Sequence, residues 1–203
     1  MSSHHKVSFA GAVGHLEGVL QFPANTPRGV AVVAHPLPIM GGTMDNKVVS
    51  TLAKAFVELG YATLRFNFRG VGASDGSYDQ GNGETQDAIA AAEFMCVEFP
   101  ELPLLLAGFS FGAYVQARAA AELQPQRLVL IAPAVGRFAM PEVPHDTLLI
   151  HGDMDEVVEL HELLKWARPQ HLPVIVLAGA EHFFHGRLTQ LKQIVIRQLG
   201  VHP

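Results

Sequence analysis

Short runs of valine, leucine and isoleucine alternate along the chain with longer segments whose apolar residues recur at helical spacing. Runs of about four to eight residues suit strands, whereas a 3.6-residue period suits a helix that lays one face on a sheet. Strands are predicted at 7–12, 16–22, 29–34, 62–67, 102–108, 127–132, 147–151 and 173–178. The first two form a hairpin, and most of the rest are apolar throughout, as strands covered on both faces must be. Val48, Leu52, Ala55, Phe56 and Leu59 mark a helix with Asp45 or Asn46 available as its cap and Gly60 as its stop. Further helices are predicted over 84–97, 110–123, 157–167 and 188–199, the last with Leu188, Leu191, Val195 and Leu199 on one stripe. This alternation predicts an α/β fold, a mostly parallel central sheet of about eight strands flanked by helices.

At 203 residues, 49% hydrophobic and 16% charged, the chain can bury one large core, and it shows no internal repeat and no Pro- or Ser-rich linker. A single domain spanning 1–203 is expected. The irregular stretch 70–83 is loop-sized. Only about a dozen residues separate the strand ending near Pro133 from the one starting at Thr147, too few for an inserted cap domain.

The strand at 102–107 runs into Gly108-Phe109-Ser110-Phe111-Gly112 and then directly into a helix. A nucleophilic hydroxyl must stand clear of the sheet on a tight turn, and glycines two positions either side remove the side chains that would block it. The other reading of these residues is a βα turn with Ser110 as N-cap. After the strand at 147–151 comes Gly152-Asp153-Met154-Asp155-Glu156, where a carboxylate can hold an imidazole. Asp153, Asp155 and Glu156 are candidates, or all three cap the next helix; we assign orientation of the base to Asp155 and a supporting turn or cap to Asp153. The last strand is followed by Glu181-His182-Phe183-Phe184-His185, and either histidine could be the base. The order Ser110, Asp155, His182 matches the serine, acid, histidine order of the nucleophile-elbow hydrolases. Acyl transfer also needs two backbone donors on the oxyanion. Phe111, after the serine, offers one; in His35-Pro36-Leu37-Pro38 only Leu37 has an N–H after the histidine, so it is the candidate for the other, the alternative being that this tetrapeptide is an ordinary rigid loop.

These three motifs together resemble the α/β-hydrolase superfamily. More narrowly, the segment from His35 to Lys47, with Gly41-Gly42-Thr43, and the segment from Arg65 to Ser74 resemble a group of small, lidless bacterial serine hydrolases. The resemblance spans nearly the whole chain. It implies the α/β-hydrolase fold with no cap domain, and that the second aspartate of His-Gly-Asp-x-Asp, Asp155, serves the triad. Dienelactone hydrolases are similar in size but carry cysteine at the elbow. It also implies a carboxylesterase-like serine hydrolase, working on a small-molecule ester through an acyl-enzyme. Thioesterase, amidase or peptidase chemistry with the same triad, and a non-catalytic binding protein retaining the fold, are the alternatives.

Composition narrows the partners. A net charge of −5 without blocks of like charge suggests neither nucleic acid nor a membrane surface. Neither a leader nor an apolar run long enough to span a bilayer is evident, so a cytoplasmic protein is expected, as a monomer or homodimer. Cys96 is the one cysteine, read as a half-buried helix residue. Gly70-Val71-Gly72 lacks the third small residue of a dinucleotide fingerprint, and the histidines lack metal-binding spacing, so no cofactor and no metal are expected. Arg65, Asn67 and Arg69 alternate along one strand and could meet an anionic substrate group; hydrogen bonding to the adjacent loop is the reading we favour.

Overall fold

The computed structural model describes residues 4–200; Met1, Ser2 and Ser3, on which part of the leader reading rests, and 201–203 lie outside it. β1 (His4–Ala10) and β2 (His15–Gln21) form the expected antiparallel hairpin, and β2 pairs antiparallel with β4 (Tyr61–Phe66). From β4 the sheet continues in parallel through β3 (Gly29–Ala34), β5 (Leu104–Phe109), β6 (Arg127–Ile131), β7 (Leu148–Gly152) and β8 (Val174–Leu177). The order is β1-β2-β4-β3-β5-β6-β7-β8.

Alternation along the central strands divides the core. Val30, Val32 and Ala34 of β3 face α2 (Asn82–Glu98) and α3 (Phe111–Leu123), whereas Ala31 and Val33 face α1 (Lys47–Glu58) and α5 (Leu188–Gly200). α1 packs Val48, Leu52, Ala55 and Phe56 beside Leu191, Val195 and Leu199 of α5, all buried. Asn46 caps α1 by accepting from the N–H groups of Val48 and Val49. Gly60, with φ of 90°, takes the left-handed conformation that turns the chain into β4.

Several boundaries differ from the sequence pattern for local reasons. β5 starts at Leu104 because Leu102 N–H turns back to Phe99 O. α4 runs only over Leu160–Ala167, not from Val157; the N–H groups of Val157 and Val158 are bound by the Asp155 carboxylate in a turn that does not continue as helix. Cys96 is exposed on α2, not half-buried. Residues 132–147, between β6 and β7, hold no helix, so there is no cap over the carboxyl ends of the strands. Among the described residues no helix is long and apolar enough to cross a membrane.

The chain leaves β3 toward β4 on one side and returns to β5 on the other. The carboxyl ends of β3 and β5 therefore diverge into loops at a topological switch point, where open α/β sheets bind their ligands.

Candidate active site

β5 delivers Ser110 at that switch point. Its backbone has φ of 56° and ψ of −116°, a strained pose for a residue with a Cβ. The pose is held by Ser110 N–H donating to Ile131 O at 2.9 Å and by Ser110 O accepting from Ala113 and Tyr114. Both flanking glycines are required by close approach. A Cβ on Gly108 would lie 2.2 Å from Gly112 O, and one on Gly112 would lie 2.4 Å from Ala34 O. The Ser110 side chain makes no helix-capping hydrogen bond, so the N-cap reading of the motif does not describe it.

Instead Ser110 Oγ lies 3.0 Å from His182 Nε2, and His182 Nδ1 lies 2.7 Å from Asp155 Oδ2. An ionised carboxylate only accepts, so Nδ1 carries the proton and Nε2 is left to accept the Ser110 O–H. All three side chains are buried from bulk water. Burial alone would raise the Asp155 carboxyl. Hydrogen bonds from His182 and Val158 N–H and the neighbouring imidazoles outweigh that effect and hold the carboxyl below its ordinary range. Phe109 and Phe183 pack against the His182 ring at 5.0 and 5.1 Å between centroids.

The loops after β7 and β8 are tied together to place acid and imidazole. Asp153 accepts from Gly179 N–H at 2.6 Å, and Met154 N–H donates to Ala180 O at 3.1 Å. Asp153 thus supports the turn but caps no helix. Glu156 is exposed, and His185 sits on the surface 3.4 Å from Glu181, apart from Ser110.

A second histidine, His151, lies fully buried beneath the acid, a placement that strand periodicity alone does not reveal. Its Nε2 is 2.8 Å from Val158 O and 3.5 Å from Asp155 Oδ2, while its buried Nδ1 has no hydrogen-bond partner. The carbonyl can only accept, so Nε2–H donates and Nδ1 is bare. Burial pushes its pKa down, keeping the ring neutral.

The loop after β3 folds over Ser110 from the other side. His35 is buried; it donates Nδ1–H to Pro36 O at 2.7 Å and accepts Phe68 N–H on Nε2 at 3.1 Å. Burial lowers its pKa to about 4, so it is neutral at physiological pH. Beyond it, Gly42 N–H returns to Leu37 O, and a Cβ on Gly42 would lie 2.0 Å from Pro36 O, so the doubled-back loop admits only glycine there. Asn67 and Arg65 brace the same loop: Asn67 Oδ1 accepts Met44 N–H at 2.8 Å, and Arg65 donates to Met44 O and Asp45. Arg69 pairs with Asp87 on α2. None of these three lines the cavity.

That cavity, of about 250 Å³, is bounded by the loop at 36–46, by Ser110 and Phe111, by Ala134, Arg137 and Phe138, and by Val157, His182 and Phe183. Leu37 and Phe111 both line it, and the backbone N–H of neither is engaged by a protein acceptor among the described residues. The loop at 70–83 does not line it; Tyr78 packs behind Phe111, 5.9 Å between ring centroids. No group of three or more metal-ligating side chains is gathered among the described residues.

Comparison with known proteins agrees with this architecture. The chain is 39% identical to an α/β serine hydrolase without lid from Xanthomonas campestris, covering 99% of this chain and 97% of that one with a TM-score of 0.94. It is 40% identical to an α/β serine hydrolase homologue from Coxiella burnetii, over 96% and 97% of the two chains, TM-score 0.88. An uncharacterised protein of Rickettsia prowazekii is 30% identical over 94% of this chain and 86% of its own length. Residues 25–143 match the family described as serine aminopeptidase S33, and the chain is therefore an α/β serine hydrolase belonging to that family.

Proposed function

We propose that the protein is a carboxylesterase for short acyl esters, with Ser110 as nucleophile, His182 as general base and Asp155 as the acid that orients it. The observation that carries this reading is the hydrogen-bonded series from Asp155 through His182 to Ser110, with Ser110 on a strained elbow opening into a cavity. In the acylation step His182 Nε2 takes the Ser110 proton as Oγ attacks the ester carbonyl, and Asp155 stabilises the imidazolium. Leu37 and Phe111 N–H groups hold the oxyanion; His182 then protonates the departing alcohol. Water, deprotonated by the same imidazole, releases the acid and restores Ser110. No cofactor enters this sequence.

The acyl preference follows from size. A 250 Å³ cavity under no cap takes a short chain and leaves further methylenes in water, where each forgoes about 0.8 kcal/mol of burial. We expect kcat/KM for p-nitrophenyl esters to peak at acetate to butyrate and to gain nothing at an oil–water interface. Ser110→Ala should abolish turnover. A monotonic rise toward long-chain esters contradicts the acyl preference. Because the family's description names an aminopeptidase, amide cleavage is the second reading. Turnover of the anilide faster than the ester of the same acyl group favours it.

A further inference from the structure

The cavity beside Ser110 is lined largely by apolar groups: Leu37, Met40, Phe111, Phe138, Val157 and Phe183 among them. Set into this surface is one cationic side chain, Arg137, and no carboxylate lines the cavity. Arg137 is exposed and forms no ion pair among the described residues. Three arginines elsewhere in the fold are ion-paired, Arg65 to Asp45, Arg69 to Asp87 and Arg127 to Asp146, but none of them lines the cavity. The neighbouring carboxylate, Glu162, lies beside Gly136, is 3.0 Å from His161 Nε2, and is outside the cavity lining.

The turn that presents Arg137 is anchored. Gly136 supplies a positive φ of 77°, and the N–H groups of Arg137 and Phe138 both return to Ala134 O. Phe138 is wedged against Phe111 and stacked on Tyr114, with centroids 5.2 and 4.8 Å apart. Ala134 N–H in turn donates to Ser110 O, so the turn is tied to the elbow itself. The backbone that carries the guanidinium is therefore fixed relative to the nucleophile.

The geometry points to Arg137 as a specificity-determining residue that selects esters bearing a carboxylate on their acyl or alcohol part. The inference rests on the esterase reading above and deepens it. A guanidinium offers a planar fork of donors matched to a carboxylate, and Arg137 is the one permanently charged side chain among those lining the cavity. A neutral ester of the same size leaves that cation without its partner.

Two matched pairs of substrates test this. One places the anion on the acyl side, mono-p-nitrophenyl glutarate against p-nitrophenyl butyrate; the other places it on the leaving group, 3-carboxyphenyl butyrate against phenyl butyrate. The quantity read is the charged-to-neutral ratio of kcat/KM in wild type, Arg137→Lys and Arg137→Gln. We expect Arg137→Gln to lower the ratio in one pair by about tenfold, as for a hydrogen bond to a charged group, and Arg137→Lys to lower it less. Added salt should reduce the wild-type ratio and leave that of Arg137→Gln nearly flat. A fall of about threefold or more in either pair supports the assignment, and a smaller change in both overturns it. Arg137 is exposed, so the variants should fold, and reaction of Ser110 with a fluorophosphonate checks the machinery separately. If neutral esters are turned over without charge selectivity, Arg137 has no such role; if Ser110 is unreactive and no ester is hydrolysed, the esterase reading itself fails.

Discussion

Asp155 does two things with one carboxylate. Its Oδ1 accepts the N–H groups of Val157 and Val158 at 2.9 and 2.8 Å, while Oδ2 accepts from His182. In Asp155→Asn the amide oxygen can keep the turn, but the amide nitrogen then faces His182 Nδ1 and favours the wrong tautomer. We expect kcat to fall by about 10³- to 10⁴-fold with little loss of stability. Asp153→Asn still accepts from Gly179 N–H and should cost less than about tenfold. Steady-state kinetics on both folded variants decide the matter, and a larger loss at Asp153 refutes the assignment. His35 carries a different residue-scale consequence. In the unfolded chain its imidazole protonates near 6.5, in the folded protein only near about 4. Between these values the unfolded state holds more protons, so stability is complete above pH 6.5 and declines as pH falls toward 4, by on the order of 3 kcal/mol. Urea denaturation across this range should show a flatter pH slope for His35→Gln than for wild type. Equal slopes would mean that His35 is not held neutral by burial. At this scale Ser110, Asp155 and His182 were legible because each follows a strand within a short motif. His35 and His151 were not. His35 meets Phe68 through loops from different strands, and His151 meets Asp155 and Val158 through the turn that follows its own strand; periodicity along one strand encodes neither.

Among the elements, the support of the elbow is mainly aromatic and ionic. Phe66, Phe68 and Phe111 meet edge-on with centroids 5.1 and 5.8 Å apart, and Phe138 and Tyr114 extend the cluster. Behind it, Arg69 and Asp87 form a bidentate pair at 3.0 and 2.7 Å that joins the end of β4 to α2, with Arg69 N–H donating to the same carboxylate. Both side chains are buried. Asp87→Ala therefore strands a buried guanidinium and should cost about 3 to 5 kcal/mol, whereas replacing both partners by apolar residues of similar volume should recover most of that. Denaturant titration of the single and double variants measures it, and a single-variant loss under about 1 kcal/mol would show the pair is well solvated. Sequence pattern found α1 and α5 because each has one apolar stripe. It places α2 at 84–97 and the stretch before it in a loop, whereas the helix begins at Asn82. Its first turn is polar yet buried, with Glu84 accepting from Asp79 and Gly81 N–H groups, and hydrophobic periodicity is blind to such a turn.

Across the whole molecule, the site is a consequence of topology. The sheet order sends successive crossovers to opposite sides of the β3–β5 junction, and the loops at that junction bring Leu37 and Ser110 to one cavity. β7 and β8 add Asp155 and His182 from the adjoining edge. The uncapped segment at 132–147 then leaves the cavity open, with Met40 and Phe183 exposed at its rim. Strand count, order of motifs and the missing cap were all readable from spacing along the chain. The cavity lining was not, since Arg137 and Phe138 belong to a segment without periodicity whose place depends on Tyr114 and Ala134. The central claim is that this assembly makes one serine hydroxyl nucleophilic, and covalent labelling tests it most directly. Treated with a fluorophosphonate, the protein should gain a single adduct per chain by intact mass, located by peptide analysis on Ser110, and Ser110→Ala should gain none. An adduct on a different serine, or labelling that persists in Ser110→Ala, would contradict the account.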